Sequence, residues 1–212
     1  VERLLQTVRL GIVAPGEALP AERDLAARFE VSRDTLREAI RSLAEAGYLV
    51  SRRGRYGGTF VVDVLPPAAD TVAPTAAELD DALGLREILE VGAARAAASR
   101  DLSAGERSLL WKRLGESAAA SLDDHRRLDS RLHLTIGELA GLPSLVELLA
   151  ENRMRVNGYL DGIPFLIPNL DHSNHQHEAV VAAILTGDAD AAAAAMSEHL
   201  RGTAALLRGF LR

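Results

Sequence analysis

The stretch from Leu19 to Val61, LPAERDLAARFEVSRDTLREAIRSLAEAGYLVSRRGRYGGTFV, admits few folds. It predicts two short helices, Pro20–Phe29 and Ser32–Ala46, with only Glu30 and Val31 between them. Pro20 suits a first helical position, where its missing N–H is not needed, and Ser32 suits an N-cap. Leu36, Ala39, Ile40 and Leu43 fall at helical spacing on one side of the second helix. Arg33, Arg37 and Arg41 fall on another side, one above the next at intervals of four. An apolar back and an arginine front, packed on a short partner helix, form the geometry of a helix-turn-helix reader. Strand-like residues around glycines follow, YLVSRRGRYGGTFV, and predict a β-hairpin wing carrying Arg52, Arg53 and Arg55. Leu4, Leu5 and Val8 mark an earlier helix over Val1–Leu10, stopped by Gly11.

A lone amphipathic helix pair is weak evidence, but the whole string carries more. Leu19-Pro20-Ala21-Glu22-Arg23, Val31-Ser32-Arg33, Leu36-Arg37-Glu38-Ala39-Ile40, Gly47 and Gly57-Gly58-Thr59-Phe60-Val61 resemble the winged helix-turn-helix of the GntR family of bacterial transcription regulators. The resemblance implies double-stranded DNA as partner, a two-fold operator of short inverted half-sites, and a homodimer. Arg33, Thr35 and Arg37 would face the major groove, where arginine suits guanine O6 and N7, and Ser32 would be a further DNA contact. Arg23 and the wing from Arg55 to Gly58 would hold phosphates or the minor groove. Asp34 and Glu38 would orient the arginines. Arg55-Tyr56-Gly57-Gly58 departs from the commoner R-G-G-G run and leaves the role of Tyr56 open.

Charge supports the division of labour. The chain is net −6, yet residues 1–62 hold 10 Arg against 8 acidic residues, and residues 63–212 hold 14 Lys and Arg against 22. A local basic face is what phosphate contact needs. Cysteine is absent, which excludes disulfides and thiolate metal sites. No apolar run reaches membrane-spanning length and no signal peptide opens the chain, so the cytoplasm is the expected compartment.

Three domain assignments follow: a DNA-binding domain over 1–62, a proline-rich linker over 63–77, and a helical domain over 78–212. Every segment of the last has a helical period. The spacing predicts six helices, or seven, in an antiparallel bundle: 78–100, 104–119, 122–140, 144–160, 173–186 and 188–210. Ser103 with Glu106 reads as a capping box, and Ser121 and Ser144 as further N-caps. Asp161–Asp171, with two prolines, reads as an irregular connector holding neither helix nor strand. The fold class is therefore mainly α, a winged helix-turn-helix joined to an all-α bundle.

Four polar residues point inward from apolar stripes. Asp129 and His133 lie four apart on the third bundle helix, His177 lies among Val180, Val181 and Ile184, and His199 lies near Ala195, Met196 and Thr203. A tight turn at Gly187–Asp188 would set His177 and His199 level, each about 15 Å from it. Each residue also has a plain reading, as a core histidine bonded to a carbonyl or an i,i+4 pair. A cation would offset the cost of burying all four together. Three imidazoles and a carboxylate suit Zn²⁺ first, with Ni²⁺ or Mn²⁺ as alternatives.

These residues also resemble the FCD ligand-binding domain of the FadR subfamily of GntR regulators. That domain's pattern matches Asp129/His133, the run from His177 to Asp188, and the run from Ala192 to His199. The resemblance implies that Asp129, His133, His177 and His199 ligate a divalent metal, and that open positions take a small carboxylate effector. His125, His172 and His175 read as non-ligands, the last two in the connector. Arg86 falls on an apolar stripe and is a candidate for the effector's second cation, with an Arg86–Glu90 pair as the alternative. Asn152 and Arg153 are further effector candidates. The reading is an effector-controlled DNA-binding regulator, a repressor and not an enzyme. Two rivals are the same regulator with a purely structural metal, and a helical metal-dependent hydrolase.

Overall fold

The structure is a computed structural model and describes residues 1–54, 57–66, 74–163 and 167–211. It divides into two compact units, Val1–Ala69 and Asp70–Arg212. Residues 67–73 of the expected linker and the wing residues Arg55 and Tyr56 lie outside the described residues.

The first unit contains α1 (Glu2–Arg9), α2 (Glu22–Arg28), α3 (Arg33–Glu45), β1 (Leu49–Arg52) and β2 (Gly58–Val61). Leu4, Val8, Leu25, Leu36, Ala39, Leu43, Leu49 and Val61 form its core, so the three helices and the hairpin share one apolar centre. The turn between α2 and α3 is tight because Glu30 takes a left-handed φ of 55°. Val31 N–H then reaches back to the Ala26 carbonyl at 3.0 Å, closing a Schellman turn. Gly47 does the same after α3, at φ 80°, with Tyr48 N–H on the Leu43 carbonyl at 2.9 Å. The wing is antiparallel, with Leu49 opposite Val61 and Arg52 opposite Gly58. One expectation shifts: α2 starts at Glu22 with Ala21 as N-cap, so Pro20 precedes the helix. Glu22 and Asp24 then occupy the first turn, where negative charge faces the free N–H groups.

The second unit contains α4 (Ala76–Ala98), α5 (Ala104–Ala118), α6 (Leu122–Leu139), α7 (Pro143–Asp161), α8 (Ile167–Thr186) and α9 (Ala189–Leu211). Helix α4 is the hub, packing on α6, α7, α8 and α9. Buried alanines, among them Ala82, Ala93, Ala94 and Ala97 on α4 and Ala192 and Ala193 on α9, allow close approach. The capping box at Ser103 and Glu106 is formed, and Ser121 caps α6.

Three boundaries differ from the sequence expectation. Helix α4 begins earlier, because Thr75 and Glu78 make a reciprocal capping box. Ser144 caps nothing: α7 opens with Leu142 as N-cap and Pro143 in the first turn, which a proline's fixed φ favours. Helix α8 begins at Ile167 instead of residue 173. Pro168 falls in its first turn, where the lost N–H has no helical acceptor anyway, so His172 and His175 are helical residues and not part of a connector.

Two glycines give opposite expectations. A Cβ at Gly137 of α6 would lie 2.4 Å from Leu149 Cδ1, and Leu149 is only 1% exposed. Overpacking costs roughly 1–3 kcal/mol, against about 1 kcal/mol gained in helix propensity. Gly137→Ala is therefore expected to lower the melting temperature. Gly115 on α5 has nothing within 4 Å of such a Cβ, so Gly115→Ala is expected to stabilise by about 1 kcal/mol. Thermal melts of the two variants check both signs.

Candidate functional site

Asp129 and His133 stand one turn apart on α6, His177 stands on α8, and His199 on α9. Their candidate ligand atoms all lie within 4.8 Å of one another. His133 Nε2 is 3.1 Å from His177 Nε2, which is 3.2 Å from His199 Nε2. Asp129 Oδ1 is 3.3 Å from His177 Nε2 and 3.7 Å from His133 Nε2. The three histidines are buried at 4% exposure or less. Ligands about 2.0–2.1 Å from a common Zn²⁺ would be separated by roughly 2.8–3.4 Å between adjacent octahedral and tetrahedral positions, so nitrogen spacings of 3.1 and 3.2 Å fit a shared ion.

Proton placement supports the same fit. His133 Nδ1 lies against a Glu90 carboxylate oxygen, and His199 Nδ1 lies 3.3 Å from Gln176 Oε1. An ionised carboxylate only accepts, so the His133 ring carries its proton on Nδ1 and turns the Nε2 lone pair inward. The His133 lone pair and the Asp129 Oδ1 oxygen thus converge with the Nε2 atoms of His177 and His199, and hydrogen bonds among these groups cannot satisfy all of them. A cation can. His177 Nδ1 is buried without a hydrogen-bond partner among the described residues.

Around this point runs a network of buried charge. Arg86 Nε donates to Glu90 Oε1 at 2.9 Å, and Arg153 Nη1 donates to the same oxygen at 2.8 Å. Arg153 Nη2 also donates to Asp129 Oδ2. Burial alone would raise the Glu90 pKa, but adjacent His133, Arg153 and Arg86 hold it well below the usual carboxylate range. Asp129 is likewise held low against burial, by Arg153 and the neighbouring histidines. Burial, with Arg153 adding to it, pushes His133 down to about 4. Burial and the other two imidazoles push His199 well below its ordinary value.

These directions fix a pH dependence. In the unfolded chain histidine takes up a proton near 6.5 and carboxylates near 4. His133, Glu90 and Asp129 all resist protonation in the fold, so the unfolded state binds more protons as pH falls. The metal-free protein is therefore expected to lose stability from about pH 6.5 downward through His133, and further once the carboxylates are reached. A series of melts between pH 7.5 and 4 checks this; a melting temperature rising toward pH 4 would contradict it.

A cavity of about 200 Å³ opens beside the cluster. Asp129 and His199 belong to its wall, as do Arg86, His125, Gln176 and Thr203. Arg86 Nη1 is buried without a hydrogen-bond partner among the described residues. Asn152 and Arg153, the other expected effector contacts, do not line this cavity. Asn152 Nδ2 donates to the Ala82 carbonyl at 3.0 Å, and Arg153 is committed to Glu90 and Asp129. His125 lies on the wall outside the ligand cluster, its pKa lowered by burial. His172 also reaches the wall. Glu90 was the residue that sequence reasoning missed as part of the site.

In the first unit, Ser32 caps α3: its Oγ accepts from Thr35 N–H at 3.0 Å and lies 2.8 Å from Thr35 Oγ1. Arg33 is exposed at the start of α3 and forms no ion pair among the described residues. Arg37 Nε donates to Glu22 at 2.9 Å, and its Nη1 lies 3.6 Å from Asp34. Glu22 is thus the main orienting partner of Arg37, a role the sequence reading gave to Asp34 and Glu38. Arg23 is 84% exposed and pairs with Asp24. Gly58 opens β2 opposite Arg52, whose guanidinium sits 4.5 Å from the centroid of the Phe60 ring. Arg55 lies outside the described residues.

Residues 1–61 match the family of bacterial regulatory proteins, gntR family, and residues 81–202 match the FCD domain. The Uxu operon transcriptional regulator of Escherichia coli strain K12 is 32% identical over 204 residues, covering 88% of this chain and 76% of that protein. The HTH-type transcriptional repressor NanR of Citrobacter rodentium is 30% identical over 224 residues, covering 96% and 82%. A solved Streptococcus agalactiae GntR structure aligns with TM-score 0.54 and 26% identity, over 98% of this chain and 97% of that one. These are transcriptional regulators and not enzymes, so the hydrolase reading is not favoured. No helix among the described residues is long and apolar enough to cross a membrane. With a helix-turn-helix in one unit and an FCD domain in the other, the chain belongs to the GntR family of DNA-binding transcriptional regulators, in its FadR-like subfamily.

Proposed function

We propose that the chain acts in the cytoplasm as a homodimeric repressor whose hold on an inverted-repeat operator is set by a small carboxylate bound at a metal centre. The observation that carries this reading is the convergence of Asp129, His133, His177 and His199 beside a cavity into which Arg86 also faces. A divalent ion held there would supply Lewis-acid attraction for an oxygen anion. The chain's own charges explain why that anion would come from outside. Arg86 and Arg153 are balanced by Glu90 and Asp129, so the charge of an added ion has no counterpart left in the network. Arg86 Nη1, buried and without a hydrogen-bond partner among the described residues, offers the second contact a carboxylate needs.

In the reading unit, Arg33, Thr35 and Arg37 are assigned to the major groove, and Arg23, Ser32, Gly58 and the wing with Arg55 to the backbone. An effector changes operator affinity only as far as it binds one dimer arrangement better than another. Repression is the sense suggested by the NanR relative, which is named a repressor.

Arg86→Met separates sensing from metal binding. With Zn²⁺-loaded protein, operator affinity is read by fluorescence anisotropy across a panel of small carboxylates. At least one acid is expected to shift the wild-type affinity. The variant should keep its Zn²⁺ and need roughly 10–100 times more of that acid, the worth of a charge-assisted hydrogen bond. An unchanged response in Arg86→Met would remove Arg86 from the sensing site, and a purely structural metal would show no acid response in either protein.

A further inference from the structure

We propose that Glu90 is a positioning residue for the metal centre: it sets the His133 tautomer and, through Arg153, the orientation of Asp129. This rests on the metal reading above and assigns a residue that does not itself ligate.

Glu90 lies on α4, 2% exposed, and takes three donors. Arg86 Nε and Arg153 Nη1 both reach Oε1, while His133 Nδ1 meets Oε2. Two guanidinium groups on one oxygen keep this carboxylate ionised, and an ionised carboxylate only accepts. The His133 proton therefore sits on Nδ1, and Nε2 presents its lone pair toward Asp129 and His177. Arg153 meanwhile holds Asp129 by Oδ2. The free oxygen, Oδ1, is the one turned toward the histidine nitrogens. Two of the four ligands are thus aimed by one carboxylate and one guanidinium before an ion is present.

Charge balance alone does not require this arrangement. Glu90 could neutralise the arginines through Oε1 with Oε2 turned elsewhere, and a buried ion network is often no more stable than a well-packed apolar one. What the arrangement adds is orientation, the service outer partners give to ligating histidines, worth roughly 10–100-fold in metal affinity. A merely structural Glu90 would affect the melting temperature and leave the tautomer alone.

Two measurements on the full chain test the role. In ¹⁵N NMR of the metal-free wild type at neutral pH, His133 should show one tautomer, protonated at Nδ1. In Glu90→Gln, whose amide can accept or donate, both tautomers should be populated. Zn²⁺ affinity, read by chelator competition, should fall roughly 10–100-fold in the folded variant. Zn²⁺ bound equally well by wild type and Glu90→Gln overturns the role of Glu90 alone, whereas a wild type that binds no Zn²⁺ overturns the metal reading. If Glu90→Gln does not fold, the wild-type spectrum still decides, since a His133 protonated at Nε2 contradicts the proposal.

Discussion

His177→Ala is expected to weaken Zn²⁺ binding by roughly 10²–10³-fold, because about 10–16 kcal/mol of binding is shared among four ligands in a structural zinc site. The variant isolates the metal for a physical reason. His133 and His199 each hold an outer partner, Glu90 and Gln176, so removing either disturbs more than ligation. His177 has none on Nδ1 among the described residues, and its loss leaves the Arg86, Glu90, Arg153 and Asp129 network intact. The metal-free variant should accordingly melt within a few degrees of the metal-free wild type. Loss of Zn²⁺ affinity without loss of apo stability is the expected pair of results, from chelator competition and thermal melts. Equal Zn²⁺ affinity in both proteins would leave the three-histidine convergence without the chemistry assigned to it.

Arg33→Ala is expected to have the largest effect on DNA. Arg33 is exposed at the first turn of α3 and carries no competing ion pair among the described residues. Arg37, by contrast, is engaged by Glu22 at 2.9 Å. A bidentate arginine–guanine contact is worth roughly 1–3 kcal/mol of discrimination. A dimer loses two, so operator affinity should fall by roughly 30- to 10⁴-fold, with much less change on unrelated DNA. Anisotropy titrations on operator and scrambled duplexes check this, with Zn²⁺ content as the control expected not to move. A uniform loss on both duplexes would make Arg33 a phosphate contact instead.

What could be read without coordinates follows from how local each feature is. The helix-turn-helix is a contiguous string whose turn, cap and apolar stripe are all set by neighbours in sequence, and it folded as read except that Pro20 stands outside α2. The ligand set spans α6, α8 and α9, yet all four of its members sit in helical patterns with a one-turn spacing or a countable distance from a turn. Ser144 and the start of α8 were misjudged because a proline in a first turn looks, in sequence, like a break. Glu90 was hidden for a different reason. Four residues after Arg86 it resembles an ordinary helical ion pair, and that pair does form. Its other partners, His133 and Arg153, are 43 and 63 residues away, so only the packing of α4 on α6 and α7 shows what it does. From sequence alone those same partners of Arg153 are out of view, and it reads as an effector contact.

The proposed metal centre holds one divalent ion between Asp129 Oδ1 and the Nε2 atoms of His133, His177 and His199. Anomalous diffraction at the zinc edge from crystals of the Zn²⁺-loaded protein tests it most directly. A peak bonded to those four atoms and bordering the cavity is expected, with any bound acid reaching it from the side of Arg86. A peak elsewhere on the chain, or full Zn²⁺ loading with no peak among these residues, would contradict it.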